Sequence, residues 1–327
     1  MLHDFISLAD CSPDEVTWLL DEAARLKQRL KEGRIDSPLA GQTVAMIFEK
    51  PSLRTRVTFE TGIFQLGGHA IVLESGQIRL GERESVPDVA RNLERWVNAV
   101  VARTFSHEAV VDLAAHASVP VINALTDKLH PCQIVADALT LREHKGELKG
   151  KKVAFVGDGN NVAASWLNFS ARVPIHFSLV CPPGYEVDPA ILAFAQREGD
   201  GEIIQTHDVA EGVADADVIY TDVWASMGQE SEDAIRKKAF APYQVNAALM
   251  AKAKNDVIFM HCLPAKRGFE VTDEVMDSPG SVVFEQAENR LHAQKAIMTA
   301  LMLKDKDGLC PKQRARLGRT ITKATVH

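Results

Sequence analysis

Apolar and polar positions along this 327-residue chain follow two alternating patterns. Short runs rich in Val, Ile and Phe predict buried strands, and longer runs with an apolar residue every three or four positions predict helices. Strands are expected at 43–48, 69–73, 99–102, 120–122, 153–156, 177–180, 202–205, 218–221, 257–260 and 282–284. Helices are expected at 13–31, 54–66, 86–97, 108–117, from 131 through 141, and at 285–303. Because strands and helices alternate, the chain is predicted to be an α/β protein with parallel sheets flanked by helices.

A polar segment with two glycines, residues 143–152, interrupts this alternation near the middle of the chain. We interpret it as the joint between two domains, 1–145 and 146–305, each built on its own parallel sheet. Residues 306–327 form a separate basic C-terminal tail, which is expected to be solvated. In open α/β sheets, ligands bind beyond the carboxyl ends of the strands. The loops after the predicted strands are therefore the places to look for functional residues.

Composition narrows the class of protein. Hydrophobic residues make up 46% of the chain and charged residues 25%, as in a globular protein with a core. The net charge of −7 gives no overall attraction to nucleic acid or anionic membranes, and no apolar run is long enough to span a bilayer. The five cysteines are scattered and form no C-x-x-C pair, which argues against disulfides and structural zinc and favours a reducing compartment. No targeting segment is recognisable, so the cytoplasm is expected.

The loop after the first strand carries hydroxyl and guanidinium groups close together in sequence. Ser52, Arg54, Thr55 and Arg56 stand where a helix is predicted to begin. Free N–H groups at a helix N-terminus and arginine side chains both bind phosphate. Ser52 alone would also fit an ordinary helix cap followed by solvent-facing arginines. The complete Ser-x-Arg-Thr-Arg run after a strand favours a phosphate site.

Two further loops give weaker signals. His130 precedes a proline, which holds it extended, and its position fits a structural histidine and a ligand-binding one equally well. The run Gly157 to Asn161 begins like a dinucleotide fingerprint, but Val162 occupies the place of the last glycine. We therefore favour a turn that presents Asn161 to a small polar ligand.

The last two loops carry an acid and a thiol. Asp222 ends a buried strand, where its carboxylate needs a partner, either a substrate ammonium group or a structural Arg or Lys. Cys262 follows another strand and could be a polar ligand or an inert core thiol. His261 and Cys262 are residue types that bind zinc, but no further Cys or His pair has metal-ligand spacing, so no metal site is predicted. Neither a nucleophile elbow nor a P-loop is present in the sequence.

Five motifs, taken together and in order, resemble the aspartate/ornithine carbamoyltransferase family. They are Phe48 to Arg56 (F-E-K-P-S-L-R-T-R), His130 to Gln133 (H-P-C-Q), Asp222 to Gly228 (D-V-W-A-S-M-G), His261 to Pro264 (H-C-L-P) and Phe284 to His292 (F-E-Q-A-E-N-R-L-H). The resemblance extends over nearly the whole chain and leaves out only the end of the tail. It departs from the family at Leu53, where Thr is common.

The resemblance implies two domains with separate tasks and an active site in the cleft between them. Residues 1–145, with the C-terminal helix near 285–305 packed back onto them, would bind carbamoyl phosphate, and 146–305 would bind ornithine. The implied carbamoyl-phosphate residues are Ser52, Leu53, Arg54, Thr55, Gln77, Arg103, His130, Gln133, Cys262, Leu263 and Arg290. The implied ornithine residues are Asn161, Asp222, Ser226 and Met227. The implied catalytic residues are Arg103, His130, Asp222 and Cys262. Gln77 is implied to reach the site of a neighbouring subunit in a homotrimer, or in a multiple of trimers.

The implied reaction transfers the carbamoyl group of carbamoyl phosphate to the δ-amine of L-ornithine, giving L-citrulline and phosphate in arginine metabolism, without metal or organic cofactor. A second hypothesis keeps carbamoyl phosphate and changes the acceptor to putrescine, an acylated ornithine or aspartate. The Asp222 to Gly228 loop argues against it, because an anionic acceptor would require basic residues there. A third hypothesis is a non-catalytic α/β binding or regulatory protein with this fold. It is disfavoured by four intact residues, Arg54, His130, Asp222 and Cys262.

Overall fold

The computed structural model describes residues 2–74, 78, 80–225, 232–305 and 308–316. The chain divides into two compact units: unit 1 comprises Met1–Val135 and Arg290–His327, and unit 2 comprises Ala136–Asn289. Unit 1 therefore combines the two ends of the chain, whereas unit 2 is one continuous segment.

Unit 1 alternates strands and helices and is closed by the C-terminal half of the last helix. Its elements, in order, are α1 (Pro13–Lys31), β1 (Thr43–Phe48), α2 (Leu53–Gln65), β2 (His69–Glu74), α3 (Val86–Trp96), β3 (Ala99–Arg103), α4 (His107–His116) and β4 (Val121–Leu125). The four strands form one sheet in the order β2-β1-β3-β4, and all pairs are parallel. Strand β3 is buried along its whole length, as parallel strands covered by helices on both faces should be.

Unit 2 repeats the same architecture with five strands. Its elements, starting with the helix that leads out of unit 1, are α5 (Pro131–Lys145), β5 (Lys152–Val156), α6 (Asn161–Ser170), β6 (His176–Val180), α7 (Pro189–Glu198), β7 (Ile203–Thr206), α8 (Val209–Val213), β8 (Val218–Thr221), α9 (Asp233–Phe240), α10 (Ala247–Met250), β9 (Ile258–His261), α11 (Asp273–Met276) and the start of α12 (Val283–Met302). The residues of α12 from Arg290 onward belong to unit 1. The sheet order is β7-β6-β5-β8-β9, again parallel throughout. Two domains with parallel sheets and flanking helices confirm the predicted α/β class.

One predicted strand is wrong. Residues 282–284 were expected to be extended, but only Ser281 forms an isolated bridge, to Phe259, and α12 begins at Val283. The N–H of Val282 still donates to the carbonyl of Phe259, so the chain touches the sheet edge for one residue before it turns. The apolar run that suggested a strand is explained by burial, since Val282 and Val283 are both buried at the start of the helix.

The first part of the C-terminal tail is more ordered than a solvated end. Lys312 is buried, and its Nζ donates to Asp4 Oδ1 (2.6 Å) and to the carbonyl of Ala114 (2.7 Å). Arg316 donates to the carbonyl of Ala115 at 3.0 Å. These contacts fix residues 308–316 against unit 1, and the remaining tail residues lie outside the described part of the chain. Among the described residues, no helix combines the length and apolarity needed to cross a membrane.

Candidate functional site

The anion-binding features of unit 1 are centred on the N-terminus of α2. Ser52 is the N-cap of this helix, and its Oγ accepts the N–H of Thr55 at 3.3 Å. Because β1 ends at Phe48, the cap lies beyond the carboxyl end of a strand, where free helix N–H groups can receive an anion. Leu53 is 74% exposed and its side chain is apolar, so the group that this residue can offer to a phosphate is its main-chain N–H.

Residues from four separate parts of the sequence form one hydrogen-bonded cluster around Thr55 and Arg290. Its buried hydroxyl oxygen accepts Arg290 Nη2 at 2.9 Å and Arg103 Nη1 at 3.4 Å. The other terminal nitrogen of Arg290 donates to Gln133 Oε1 at 2.6 Å. Arg103 ends β3, which pairs with β1 so that Arg103 stands opposite Phe48 at the same sheet edge. Each of these three hydrogen bonds is accepted by a neutral oxygen, and guanidinium groups with this positive charge can also bind an anion.

His130 stands among these arginines. It is buried, and the pKa of its imidazole lies well below the usual range because burial and the nearby charges of Arg290, Arg103 and Arg54 all disfavour the protonated form. The ring is therefore neutral at physiological pH. A neutral imidazole can donate a hydrogen bond to a carbonyl oxygen, and the arginines supply the positive charge. Because the charge of Arg54 contributes to the lowered pKa of His130, Arg54 also lies near this imidazole.

In unit 2 the candidate residues follow three neighbouring strands, β5, β8 and β9. Asp222 comes directly after β8, Cys262 after β9 and Asn160 shortly after β5. Asp222 Oδ1 accepts the thiol of Cys262 at 3.1 Å and the N–H of Val223 at 2.8 Å, and Oδ2 accepts Asn160 Nδ2 at 2.8 Å. Among the described residues these donors are all neutral, so no structural Arg or Lys compensates this carboxylate. The arrangement favours the cationic ligand over the structural partner.

Asn160 was missed by the sequence reasoning, which selected Asn161. Asn160 caps α6, accepts the N–H groups of Val162 and Ala163 with its Oδ1, and directs its Nδ2 to Asp222. Its position just before the helix is a capping signal that could have identified it. Asn161 is the first residue of α6 and is partly exposed, so it remains a candidate ligand contact.

A largely buried ion pair that the sequence did not indicate lies near the same residues of unit 2. Arg236 on α9 donates to Asp158 Oδ2 at 2.9 Å and to the carbonyl of Trp224 at 3.0 Å. Burial raises the pKa of the Asp158 carboxyl, and the ion pair with Arg236 opposes that shift. A contact between residues 78 positions apart leaves no local pattern in the sequence.

Asp222, His261 and Cys262 place one potential metal-ligand atom each within 4.8 Å of one another. The sequence had shown no such set because Asp222 lies far from the other two along the chain. Both ring nitrogens of His261 are already engaged: Nδ1 accepts the N–H of Leu263 at 2.8 Å, and Nε2 lies 3.3 Å from Glu270 Oε1. The three groups are thus a hydrogen-bonded cluster, and a metal would have to break those contacts to use the histidine.

Three residues implied by the resemblance, Gln77, Ser226 and Met227, lie outside the described residues. The remaining predicted residues form two groups, one in each unit. Unit 1 contains Ser52, Leu53, Arg54, Thr55, Arg103, His130, Gln133 and Arg290, and unit 2 contains Asn161, Asp222, Cys262 and Leu263.

Comparison with known proteins also divides the chain into two domains, although the second domain model extends past Arg290. The model of the carbamoyl-P binding domain of aspartate/ornithine carbamoyltransferase matches residues 3–143, and the model of the Asp/Orn binding domain matches residues 149–301. The ornithine carbamoyltransferase of Oceanobacillus iheyensis is 54% identical over 303 residues, covering 92% of this chain and 94% of that protein. The chloroplastic ornithine carbamoyltransferase of Pisum sativum is 53% identical over 298 residues, covering 91% of this chain and 80% of that one.

The fold is likewise that of solved relatives. The ornithine carbamoyltransferase structure from Pyrococcus furiosus matches with a TM-score of 0.90 at 49% identity, covering 92% of this chain and 97% of that one. An N-acetyl-L-ornithine transcarbamylase structure matches with a TM-score of 0.82 at 35% identity, covering 91% of this chain and 99% of that one. With both family domains and relatives at about half identity over nearly its whole length, the chain belongs to the aspartate/ornithine carbamoyltransferase family.

Proposed function

We propose that this protein transfers the carbamoyl group of carbamoyl phosphate to the δ-amine of L-ornithine, producing L-citrulline and phosphate in arginine metabolism. The observation that carries the choice of acceptor is Asp222, a nearly buried carboxylate whose described partners are all neutral. Such a carboxylate suits an amine that arrives as a cation. The 54% identical relative that is named ornithine carbamoyltransferase supports the same acceptor.

Unit 1 is the proposed donor-binding domain. Carbamoyl phosphate is a dianion, and the cap of α2 with three arginines offers N–H groups and positive charge at one place. The proposed donor ligands in this unit are Ser52, Leu53, Arg54, Thr55, Arg103, His130, Gln133 and Arg290. Arg103 and the neutral His130 would contact the carbamoyl oxygen. Donors of this kind stabilise negative charge that develops on the carbonyl and leaving oxygens, and one of them is often worth about 3 kcal/mol.

Unit 2 is the proposed acceptor-binding domain. Asn161, Asp222, Ser226 and Met227 would bind ornithine, and Cys262 would lie beside the reacting amine. The amine must lose a proton before its lone pair can attack the carbonyl carbon. We assign that step to Asp222 with Cys262, which share a hydrogen bond. A C–N bond then forms, the C–O bond to phosphate breaks, and phosphate leaves with its electron pair.

Leu263 also belongs to this site in the proposal. Its N–H already donates to His261, so the carbonyl is the main-chain group that remains to accept the carbamoyl amide. The reaction needs no redox step, and the arginines supply the charge that polarises the carbonyl. We therefore propose no metal or organic cofactor as part of the mechanism.

We further propose a homotrimer, or a multiple of trimers, in the cytoplasm. The exposed apolar side chains of Leu53, Val57 and Phe64 lie along one side of α2, which is typical of a helix face that another chain covers. Gln77 is proposed to enter a neighbouring subunit's site. All five cysteines are free thiols, which fits a reducing compartment.

An acceptor panel tests the proposed function. Purified protein is incubated with carbamoyl phosphate and, in separate reactions, ornithine, N-acetylornithine, putrescine and aspartate, and the ureido product is measured. The largest kcat/KM is expected with ornithine. A larger value with another amine would support the second hypothesis, and N-acetylornithine is included because one solved relative is an N-acetyl-L-ornithine transcarbamylase. If none of the four amines gave a ureido product, carbamoyl transfer would be refuted.

A further inference from the structure

The turn that carries Cys262 and Leu263 away from β9 needs support from its surroundings. Leu263 has φ 59°, in the left-handed region that is sterically unfavourable for a residue with a Cβ atom. One residue earlier, the thiol of Cys262 donates to Asp222 at 3.1 Å. A rotation of this turn would move the thiol away from the carboxylate. The contacts that hold Leu263 therefore matter for the reacting groups.

His261 holds the turn through a defined tautomer. The main-chain N–H of Leu263 donates to His261 Nδ1 at 2.8 Å, and because an N–H can only donate, Nδ1 carries no proton. The ring proton is then on Nε2, which faces Glu270 Oε1 at 3.3 Å. Both side chains are 0% exposed, so bulk water does not compete for these hydrogen bonds.

Glu270 is an unusual group to bury. Its Oε1 also accepts the N–H of Lys266 at 2.5 Å, and its Oε2 has no hydrogen-bond partner among the described residues. Burying a carboxylate without a cationic partner is unfavourable, and an apolar residue of similar volume would fill the space at a smaller cost. A carboxylate in this position can orient the histidine that it contacts, as carboxylates do for histidines that bind metal ions.

We propose that Glu270 is a positioning residue for carbamoyl transfer. It holds His261 in the Nε2–H tautomer, which keeps Nδ1 available to Leu263 and thereby keeps the thiol of Cys262 against Asp222. This inference rests on the proposed function, and it adds a residue that acts through His261 and not on the substrates. All five residues belong to unit 2.

Two variants separate positioning from simple burial. Glu270→Gln keeps an acceptor oxygen toward His261 and Lys266, and it should leave kcat within about threefold of wild type. Glu270→Leu removes the acceptor, and it should lower kcat about 10–100-fold. The KM for carbamoyl phosphate should stay within about threefold in both variants, because the proposed ligands of its phosphate group lie in unit 1.

Asp217→Asn is the matched control. Asp217 is also a buried carboxylate of unit 2, but it stands at the opposite end of β8 and pairs with Lys254 at 2.8 Å. This variant should lower Tm and leave kcat unchanged. A Glu270→Leu enzyme with wild-type kcat would overturn the proposal. So would a loss of kcat that Asp217→Asn reproduces at the same fall in Tm.

The tautomer of His261 can be determined in the absence of substrates. Ring ¹⁵N NMR of histidine-labelled protein, with the His261 signals identified by their loss in His261→Gln, should show an unprotonated Nδ1 in wild type and in Glu270→Gln. Glu270→Leu should change that signature, and a protonated Nδ1 in wild type would overturn the proposal. If wild type shows the expected tautomer but carbamoylates no amine, the proposed function and the kinetic role of Glu270 both fail, while the hydrogen-bond assignment stands.

Discussion

At the scale of single residues, the charge of Asp222 is expected to affect the binding of ornithine and not the binding of carbamoyl phosphate. Asp222→Asn keeps the size of the side chain and removes the negative charge, so a cationic acceptor loses its counter-charge. Loss of a charge-assisted hydrogen bond of about 1.5–3 kcal/mol should weaken ornithine binding roughly 10–100-fold. Carbamoyl phosphate binding, measured by calorimetric titration without ornithine, should change less than about twofold, within the error of such a measurement.

The same titrations on Asp217→Asn provide the control, because that variant also replaces a buried carboxylate of unit 2 by an amide. It should leave both affinities unchanged. Equal weakening of ornithine and carbamoyl phosphate in Asp222→Asn would contradict the assignment of the acceptor to unit 2.

Sequence reasoning selects candidate residues more readily than it predicts their partners. Asp222 and Cys262 became candidates because each follows a buried strand, a position visible in the hydrophobic pattern. That they share a hydrogen bond depends on β8 and β9 being neighbours, which no local pattern encodes. The contact of Glu270 with His261 depends on a tautomer and on complete burial, and neither can be read from residue types.

At the scale of elements, the N-cap of α2 has two roles that a pair of variants can separate. Ser52 and Ser12 both cap helices through a serine Oγ that accepts a main-chain N–H, at 3.3 Å for Thr55 and 3.2 Å for Glu15. Ser52→Ala and Ser12→Ala should each lower the free energy of unfolding by about 1 kcal/mol. Only Ser52→Ala should also raise the KM for carbamoyl phosphate, by about tenfold, because it removes a phosphate ligand.

Denaturant unfolding and steady-state kinetics on the two variants measure both effects. A rise in KM for Ser12→Ala equal to that for Ser52→Ala would show that the change follows helix stability and not phosphate contact. An unchanged KM for Ser52→Ala would remove its hydroxyl from the proposed donor site.

Elements were predicted well where periodicity was long and poorly where an apolar run was short. All the strands expected in unit 1 are present, and so is the helix α1, whose apolar positions recur over 19 residues. Residues 282–284 failed because three consecutive apolar residues are compatible with either a strand or the buried start of a helix. The hydrogen bond from the N–H of Val282 to the carbonyl of Phe259 shows that this segment makes one contact of the kind found in sheets before the helix begins.

At the scale of the whole molecule, the units are not both continuous segments of sequence. Residues from Arg290 onward belong to unit 1, where Arg290 contacts Thr55, 235 positions away. The resemblance implied that the last helix returns to the first domain, but hydrophobic patterning alone contains no information about such a return. Arg290 would otherwise have been interpreted as an ordinary residue of an amphipathic helix.

The assembly of the molecule can be tested on the apolar face of α2. Phe64 is 78% exposed and lies on the same side of the helix as Leu53 and Val57, since the spacings of four and seven residues are close to whole turns. A large exposed aromatic residue in such a row is unfavourable in water and is stabilised when another chain covers it.

We expect wild type to have a mass in solution of three chains of 35.9 kDa, or a multiple of this, by light scattering. Phe64→Glu should shift that mass toward a single chain. Ile235→Glu, which alters a residue of similar exposure on α9 in unit 2, should leave the mass unchanged. A wild-type mass of one chain would refute the oligomer, and a Phe64→Glu mass equal to wild type would place the interface elsewhere.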